Sequence, residues 1–533
     1  MRSVVGVAIM CLSVCVWTVA DAAAGLQEPL QLDSGAISGV DASDDGAVRA
    51  YKGIPYAAPP VGDLRWRAPQ ATIAWDGVRA CDDFGAVCPQ ASYGPGAFYP
   101  DETQPHSEDC LFLNVWTPAN STDEALPVMF WIHGGAFTRG SGANAAYDGT
   151  GLARKGVVLV TINYRLGPLG FLAHPDLTAE SEHGVSGNYA ILDMIAALEW
   201  VKTNIAAFGG DPDRVTIFGE SAGSWAVNTL MASPLAKGLF HGAIGESGGL
   251  FAPMTHLTEK SHGIRSAEEI GLSFARAVTR DSDKMSIEHL RSLPVEKIME
   301  AFARRNVSMS FRSRPTVDGY VLPDDIANIF AKGQHNQVPL IVGSNADEGT
   351  SLFGSLAPKD QDTYLSRINT QYKNLADEFF AVYTDGADDP AGAWLASMRD
   401  QWFTLPMQTW ASHADDSGSP VYRYFFSHVP PIPDSEKYGA YHAAEIPYVF
   451  TNLNVTNVQD IPYERAFSEL VSDYWVAFAT TGSPNRDGLA EWKPFTREGQ
   501  DYLELGGTAK PGTHLLNAEC ALMEKLLARS WAK

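Results

Sequence analysis

Gly219-Glu220-Ser221-Ala222-Gly223 is the stretch of this chain best suited to chemistry. Val215, Ile217 and Phe218 lead into it as a core strand would, and residues 222–232 are mostly good helix formers. The spacing predicts a strand that stops at Gly219, a sharp turn, and a helix from Ala222. Glycine on either side of the serine leaves the crowded corner free of β-carbons. Such a turn lifts a hydroxyl to the end of a sheet. It also sets the next backbone N–H at a helix N-terminus, where negative charge is favoured. The chemistry is acyl transfer through an activated serine. The same pattern recurs in Gly245-Glu246-Ser247-Gly248-Gly249. There the glycines and Pro253 oppose a helix, so Ser247 is expected as a small residue at a strand end, its hydroxyl in a supporting hydrogen bond.

A serine hydroxyl needs a base to take its proton, and the base needs an acid to orient it. In a strand–turn–helix setting the chain order is serine, acid, histidine. The apolar run 338–343 opens into Ser344-Asn345-Ala346-Asp347-Glu348-Gly349, which offers two acids. Four histidines come later: His413 in a helical stretch, His428 after an aromatic strand, His442 in a loop, and His514 near the end. The residues themselves leave both choices open. Gly134 and Gly135 come directly after the apolar run 126–132 and His133. Without side chains, their N–H groups and that of Ala222 can approach a substrate oxygen as an oxyanion hole. Glu220 reads equally as an electrostatic neighbour of the serine or as part of the turn.

These residues need a scaffold that brings distant segments together. The runs at 126–132 and 157–165 and the strand leading into Ser221 read as doubly buried strands, 338–343 resumes the sheet, and 421–426 reads as a later strand. Ile191, Met194, Ile195, Leu198, Val201 and Ile205 repeat at helical spacing, with Asn188 as the cap and Gly209 as the stop. Strands alternating with helices mean an α/β fold with a covered parallel sheet. Residues 35–50 read as a hairpin, and the prolines of 52–67 forbid a regular element, leaving Ile54, Tyr56 and Trp66 to pin that segment. Residues 255–335 read as a helical insertion over the sheet. A length of 533 residues would allow several domains. The chemistry spans most of the chain, so 25–533 is read as one domain.

The first 24 residues are expected to be a signal peptide. Arg2 is the positive end, Val4 to Val19 is apolar, and Ala20-Asp21-Ala22 and Ala22-Ala23-Ala24 are small-x-small cleavage sites. The protein is therefore expected outside the cytoplasm, secreted or periplasmic, with no integral membrane segment. Its net charge of −24 excludes nucleic acid as a partner, because that needs a basic face. Export permits disulfides among Cys81, Cys88, Cys110 and Cys520. No cysteine or histidine spacing points to a metal.

Together these segments resemble the type-B carboxylesterase and lipase family of α/β-hydrolases, which includes the cholinesterases. The resemblance runs through Lys52-Gly-Ile-Pro-Tyr-Ala, Glu108-Asp-Cys-Leu-Phe-Leu-Asn-Val, His133-Gly-Gly-Ala-Phe and Asn163-Tyr-Arg-Leu-Gly. It continues through Phe208-Gly-Gly-Asp-Pro, Phe218-Gly-Glu-Ser-Ala-Gly, Asp347-Glu-Gly, the His442 loop and Asp473-Tyr-Trp-Val-Ala-Phe. It implies a mostly parallel central sheet with helices on both faces and a large helical insertion. It also implies a Ser221, Glu348, His442 triad, an oxyanion hole at Gly134, Gly135 and Ala222, a Cys88–Cys110 disulfide, and no cofactor. It implies no partner for Cys81 or Cys520, and elimination leaves their pairing with each other open. The implied activity is hydrolysis of small carboxylic esters. A lipase acting on long acyl chains is the alternative, and a non-catalytic adhesion protein a more distant one. Residues 89–109 hold Tyr93, Phe98 and Tyr99 but no tryptophan to carry a choline cation, so choline esters are not expected.

Overall fold

The computed structural model describes residues 26–92, 98–99, 103–383 and 389–532. The expected signal peptide and Tyr93 lie outside them. The centre is an eleven-stranded sheet. In chain order its strands are β1 (Val40–Asp41), β2 (Arg49–Pro55), β3 (Phe112–Thr117), β4 (Leu126–Ile132), β5 (Val158–Ile162) and β6 (Gly210–Glu220). Then come β7 (Gly242–Glu246), β8 (Leu340–Asn345), β9 (Val421–Phe426), β10 (Asp501–Leu505) and β11 (Ala509–Thr513). The spatial order is β11-β10-β9-β8-β7-β6-β4-β5-β3-β2-β1. From β5 to β10 every neighbouring pair is parallel, and the outer pairs at both edges are antiparallel. Leu30–Gln31, Ala36–Ser38 and Val78–Ala80 form a separate small sheet.

The central parallel strands are mostly apolar because both faces are covered, with Glu246 of β7 and Arg423 of β9 among the buried charged exceptions. Val128, Phe130 and Ile132 of β4 enter the same core as α1 (Tyr189–Asn204) and α2 (Ala222–Ala232). Met129 and Trp131 point the other way, into a core shared with α4 (Pro462–Thr481). α1 ends in a short 3₁₀ turn closed by Gly209 at φ 74°, as the pattern predicts. The insertion is helical, and its Phe274, Leu290, Ile298 and Phe302 join the α1/α2 core.

Some expectations need correction. Regular structure continues through Pro55, because β2 lies outside the parallel block and its proline interrupts only its end. Tyr56 and Trp66 do pin the segment after β2: the Tyr56 hydroxyl donates to Asn163 O at 2.6 Å and Trp66 Nε1 to Pro168 O at 2.9 Å. Asn188 sits at the start of α1 but does not cap it. Its side chain is committed to Thr316, accepting from N at 2.9 Å and donating to O at 2.8 Å, and so ties the insertion to α1. Between β8 and β9 the helical stretch expected around His413 is α3 (Leu405–Asp416), and several helices that the sequence pattern does not place precede it. They build a third core with Cys520 of α5 (Asn517–Trp531). Cys520 is buried in that core and Cys81 in another, so the two thiols are free rather than paired.

Among the described residues no helix is long and apolar enough to cross a membrane. Cys88 and Cys110 are joined, with a sequence separation of 22. Closing a loop of that length stabilises the fold by about 3 kcal/mol. Replacing both cysteines with serine should therefore lower the calorimetric midpoint by about 3 °C in a chain of this size. An unchanged midpoint would refute that contribution.

Candidate active site

Parallel strands point their carboxyl ends the same way, so β4, β6, β7 and β8 deliver residues 133–135, 221, 247 and 348 to one edge of the sheet. Ser221 comes directly after β6 at φ 56°, a conformation that non-glycine residues seldom adopt. Hydrogen bonds on both sides hold it there. Its N–H donates to Glu246 O at 2.9 Å, and its carbonyl accepts from Trp225 N at 3.0 Å. The flanking glycines are required by contact: a β-carbon would lie 2.6 Å from Ile132 O at Gly219, and 1.9 Å at Gly223. A β-carbon on Gly134 would lie 2.9 Å from Glu220 O and 3.2 Å from Ser221 Cβ. The glycine loop therefore lies directly against the serine. The N–H groups of Gly134, Gly135 and Ala222 donate to no partner among the described residues.

His133 holds that loop in place. Its ring stacks on Tyr164 at 4.3 Å, Nδ1 donates to Gly134 O at 2.8 Å, and the Tyr164 hydroxyl donates to His133 O at 2.7 Å. Burial pushes the His133 imidazole down to about 4, so it stays neutral.

His442 and Glu348 meet: Nδ1 lies 2.6 Å from Glu348 Oε2, and the ring N–H donates to the carboxylate. The second Glu348 oxygen accepts from Asn345 N at 2.8 Å. Asp347, the neighbouring acid, faces elsewhere and accepts from Ala440 N at 2.9 Å, bracing the loop that carries His442. The other ring nitrogen, Nε2, is 3.1 Å from Glu220 Oε1. Glu220 is thus a direct neighbour of the imidazole and more than a turn residue. Phe403 packs on the ring at 4.9 Å. From the Cys88–Cys110 loop, Phe98 stacks on Tyr441 at 4.1 Å and the Tyr99 hydroxyl donates to Ala443 O at 2.6 Å.

The remaining candidates are not at this site. His428 is 2.8 Å from Glu464, among aromatic rings. His413 lies against Phe251 in α3, and His514 comes just after β11. Ser247 sits at the end of β7, fully buried, and its hydroxyl takes no hydrogen bond, contrary to expectation.

Two further acids are not signalled by any motif. Glu246 is fully buried and accepts from Trp475 Nε1 at 2.8 Å. Glu445 accepts from Asn345 Nδ2 at 2.6 Å and is also fully buried. Only their place beside Ser247 and His442 in sequence hints at them. Burial pushes Glu220 and Glu246 well above the usual carboxylate range, each reinforced by nearby carboxylates, and brings Glu445 up to about 7. For His442 burial acts downward, but Glu220 and Glu348 outweigh it and hold the imidazole up at about 9.

The arrangement offers a hydroxyl, an imidazole oriented by a carboxylate, and N–H groups beside the hydroxyl. Comparison with known proteins agrees with this chemistry. The model of the Carboxylesterase family matches residues 27–523. The fumonisin B1 esterase of Sphingopyxis macrogoltabida is 38% identical over 88% of this chain and 84% of its own. The para-nitrobenzyl esterase of Bacillus subtilis is 35% identical over 87% of this chain and 93% of its own. The crystal structure of a Geobacillus stearothermophilus carboxylesterase superposes with a TM-score of 0.79 and 34% identity, covering 92% of this chain and 99% of that one.

The charge around His442 can be measured. The carboxylates stabilise the imidazolium, so NMR of labelled histidine should place its pKa above the ordinary 6.5. Glu348→Gln removes one negative charge and should move it down. A value at or below 6.5 in the unsubstituted protein would refute this electrostatic account.

Proposed function

This chain belongs to the carboxylesterase family, it has the α/β-hydrolase fold and it hydrolyses carboxylic esters; we propose that Ser221, His442 and Glu348 carry out that reaction. Ser221 attacks the ester carbonyl, and His442 Nε2 accepts its proton from the fraction of the enzyme in which the imidazole is neutral, a fraction that grows as the pH rises towards 9. Glu348 keeps the other ring nitrogen protonated and stabilises the imidazolium. The N–H groups of Gly134, Gly135 and Ala222 receive the oxyanion. One such donor is worth about 3 kcal/mol in the transition state. The imidazolium then protonates the departing alcohol, leaving an acyl group on Ser221. Water, deprotonated by His442, attacks that acyl group and releases the acid. The observation that carries this reading is the 2.6 Å contact between His442 Nδ1 and Glu348, which supports Glu348 over Asp347 and His442 over the other three histidines.

We also infer export to a secreted or periplasmic location. The apolar leader, the small-x-small sites after it and the Cys88–Cys110 disulfide support this.

Ser221→Ala should lower kcat on p-nitrophenyl acetate by about 10⁴-fold or more and abolish labelling by an organophosphate probe. Retained turnover would remove Ser221 from the mechanism. N-terminal sequencing of protein recovered from outside the cytoplasm should begin near Gly25, and an intact Met1 there would remove the cleavage.

A further inference from the structure

A cavity of about 610 Å³ opens beside the elbow helix. Trp225 and Gly249 line it next to the serine. The Trp225 N–H donates to Ser221 O at 3.0 Å, and Gly249 comes after Gly248, where a β-carbon would lie 2.6 Å from that same oxygen. Trp402 also lines it and precedes Phe403, which packs on His442. Both belong to a π-helical stretch, Asp400–Thr404, that leads into α3. Pro406 has no N–H to give the preceding turn, which favours this wider winding. The C-terminal helix α5 contributes Leu526 and Leu527.

The charge on this lining runs against that of the protein. The chain has 63 acidic and 39 basic residues. Yet among the described residues the cavity is lined by Arg312, Arg314, Lys373 and Arg529, and by no aspartate or glutamate. None of the four forms an ion pair among the described residues. Arg529 is used structurally, donating to Tyr372 O at 2.7 Å. Arg314 is different: it is half-buried and makes no hydrogen bond among the described residues. Its guanidinium lies 4.6 Å over Trp225 and 5.6 Å over Trp402. The two rings hold the cation through their π faces and take up none of its N–H groups, which are the donors that bind a carboxylate through two parallel bonds. Burial, with Arg312 nearby, pushes it down to about 10, so it remains charged at neutral pH. A cation withdrawn from water with no counter-ion is costly unless something else supplies one.

We propose that this cavity takes the ionised carboxylate of the substrate, and that Arg314 is a specificity-determining residue selecting esters that carry a free carboxylate beyond the scissile bond. This rests on the hydrolase reading above and narrows its substrate class to half-esters of di- and polycarboxylic acids and esters of hydroxy acids. The bond that breaks is the ester bond, and water is the only co-reactant. The free carboxylate stays unchanged and serves as a handle.

The test compares kcat/KM for p-nitrophenyl half-esters of succinate, glutarate, adipate and suberate with neutral p-nitrophenyl alkanoates of equal length. It adds 4-acetoxybenzoate against its methyl ester, which puts the carboxylate on the alcohol side. The expected result is at least a tenfold preference for the anion in one of these pairs. In Arg314→Met the ratio should collapse towards one, and Arg314→Lys should restore part of it. Ratios taken on one preparation are independent of the fraction folded, and the wild-type comparison needs no variant. Hydrolysis of neutral esters with no anion preference in any pair overturns this proposal alone. An Arg314→Met ratio equal to that of the wild type removes Arg314 from it. Failure to hydrolyse any ester overturns the hydrolase reading and this one with it.

Discussion

The backbone of Gly223 runs so close to the Ile132 carbonyl that a β-carbon there would lie 1.9 Å from it. This contact joins the start of α2 to the end of β4, and the rest of the site depends on it. With the two segments pressed together, residues 134–135 lie against Ser221, and their N–H groups are brought beside that of Ala222. Ser221 in turn has no relaxed way to bridge β6 and α2, and it takes φ 56°. Such a backbone costs on the order of 1–3 kcal/mol and persists only where its surroundings impose it. Here they are two parallel strands in register, Trp131 opposite Phe218 and Ile132 opposite Gly219, with a buried helix behind them. Packing of the sheet thus orients the proposed nucleophile.

The second constraint is electrostatic. Glu220, Glu246, Glu348 and Glu445 are all buried, and the imidazole among them is His442. A buried carboxylate tends to take up a proton, and for Glu220 and Glu246 burial with the neighbouring carboxylates outweighs the single partner each has, His442 and Trp475. Glu348 has compensation on both oxygens, from the Asn345 N–H and from His442. The proposed reaction makes an imidazolium at this point, and the oriented carboxylate is already there to receive it. No solvent or side chain has to reorganise at that moment, which is how preorganised charge lowers a barrier.

These two constraints differ in how far they are legible in the chain. The elbow is legible because it is local: strand formers, two glycines and helix formers lie within about eighteen residues, and α2 begins and ends where the spacing predicts. The acid and the base are legible only as sets, because nothing local says which of Asp347 and Glu348 turns inward. That choice depends on Ala440 and Asn345, whose backbone N–H groups claim one acid each. Asn188 misleads for a related reason. It has the residue type and position of a cap, but Thr316 offers it both a donor and an acceptor from a distant segment. Counting cysteines does not show that Cys81 and Cys520 lie in separate cores. Glu246 and Glu445 give no signal because burial is a property of the finished fold.

Arg314 belongs to that last class, and its position suggests how the fold divides its tasks. Of the proposed catalytic groups, Ser221 and Glu348 come just after sheet strands, where register fixes them, and His442 is held in a loop braced by Asp347. The cavity beside them is walled by the insertion, by the segment leading into α3 and by α5, none of which adds a strand to the sheet. Changes in these walls leave the contact between Ile132 and Gly223 untouched. A basic lining could therefore arise in a strongly acidic protein without disturbing the serine or the histidine. The net charge of −24 describes the surface that repels polyanions, and the cavity is an exception of opposite sign. A small anion that reaches it leaves a repulsive exterior for a low-dielectric pocket with a fixed cation, where one charge pair counts for more than it would in water. Selection among esters then depends on the pocket, while the rate of bond breaking depends on the elbow.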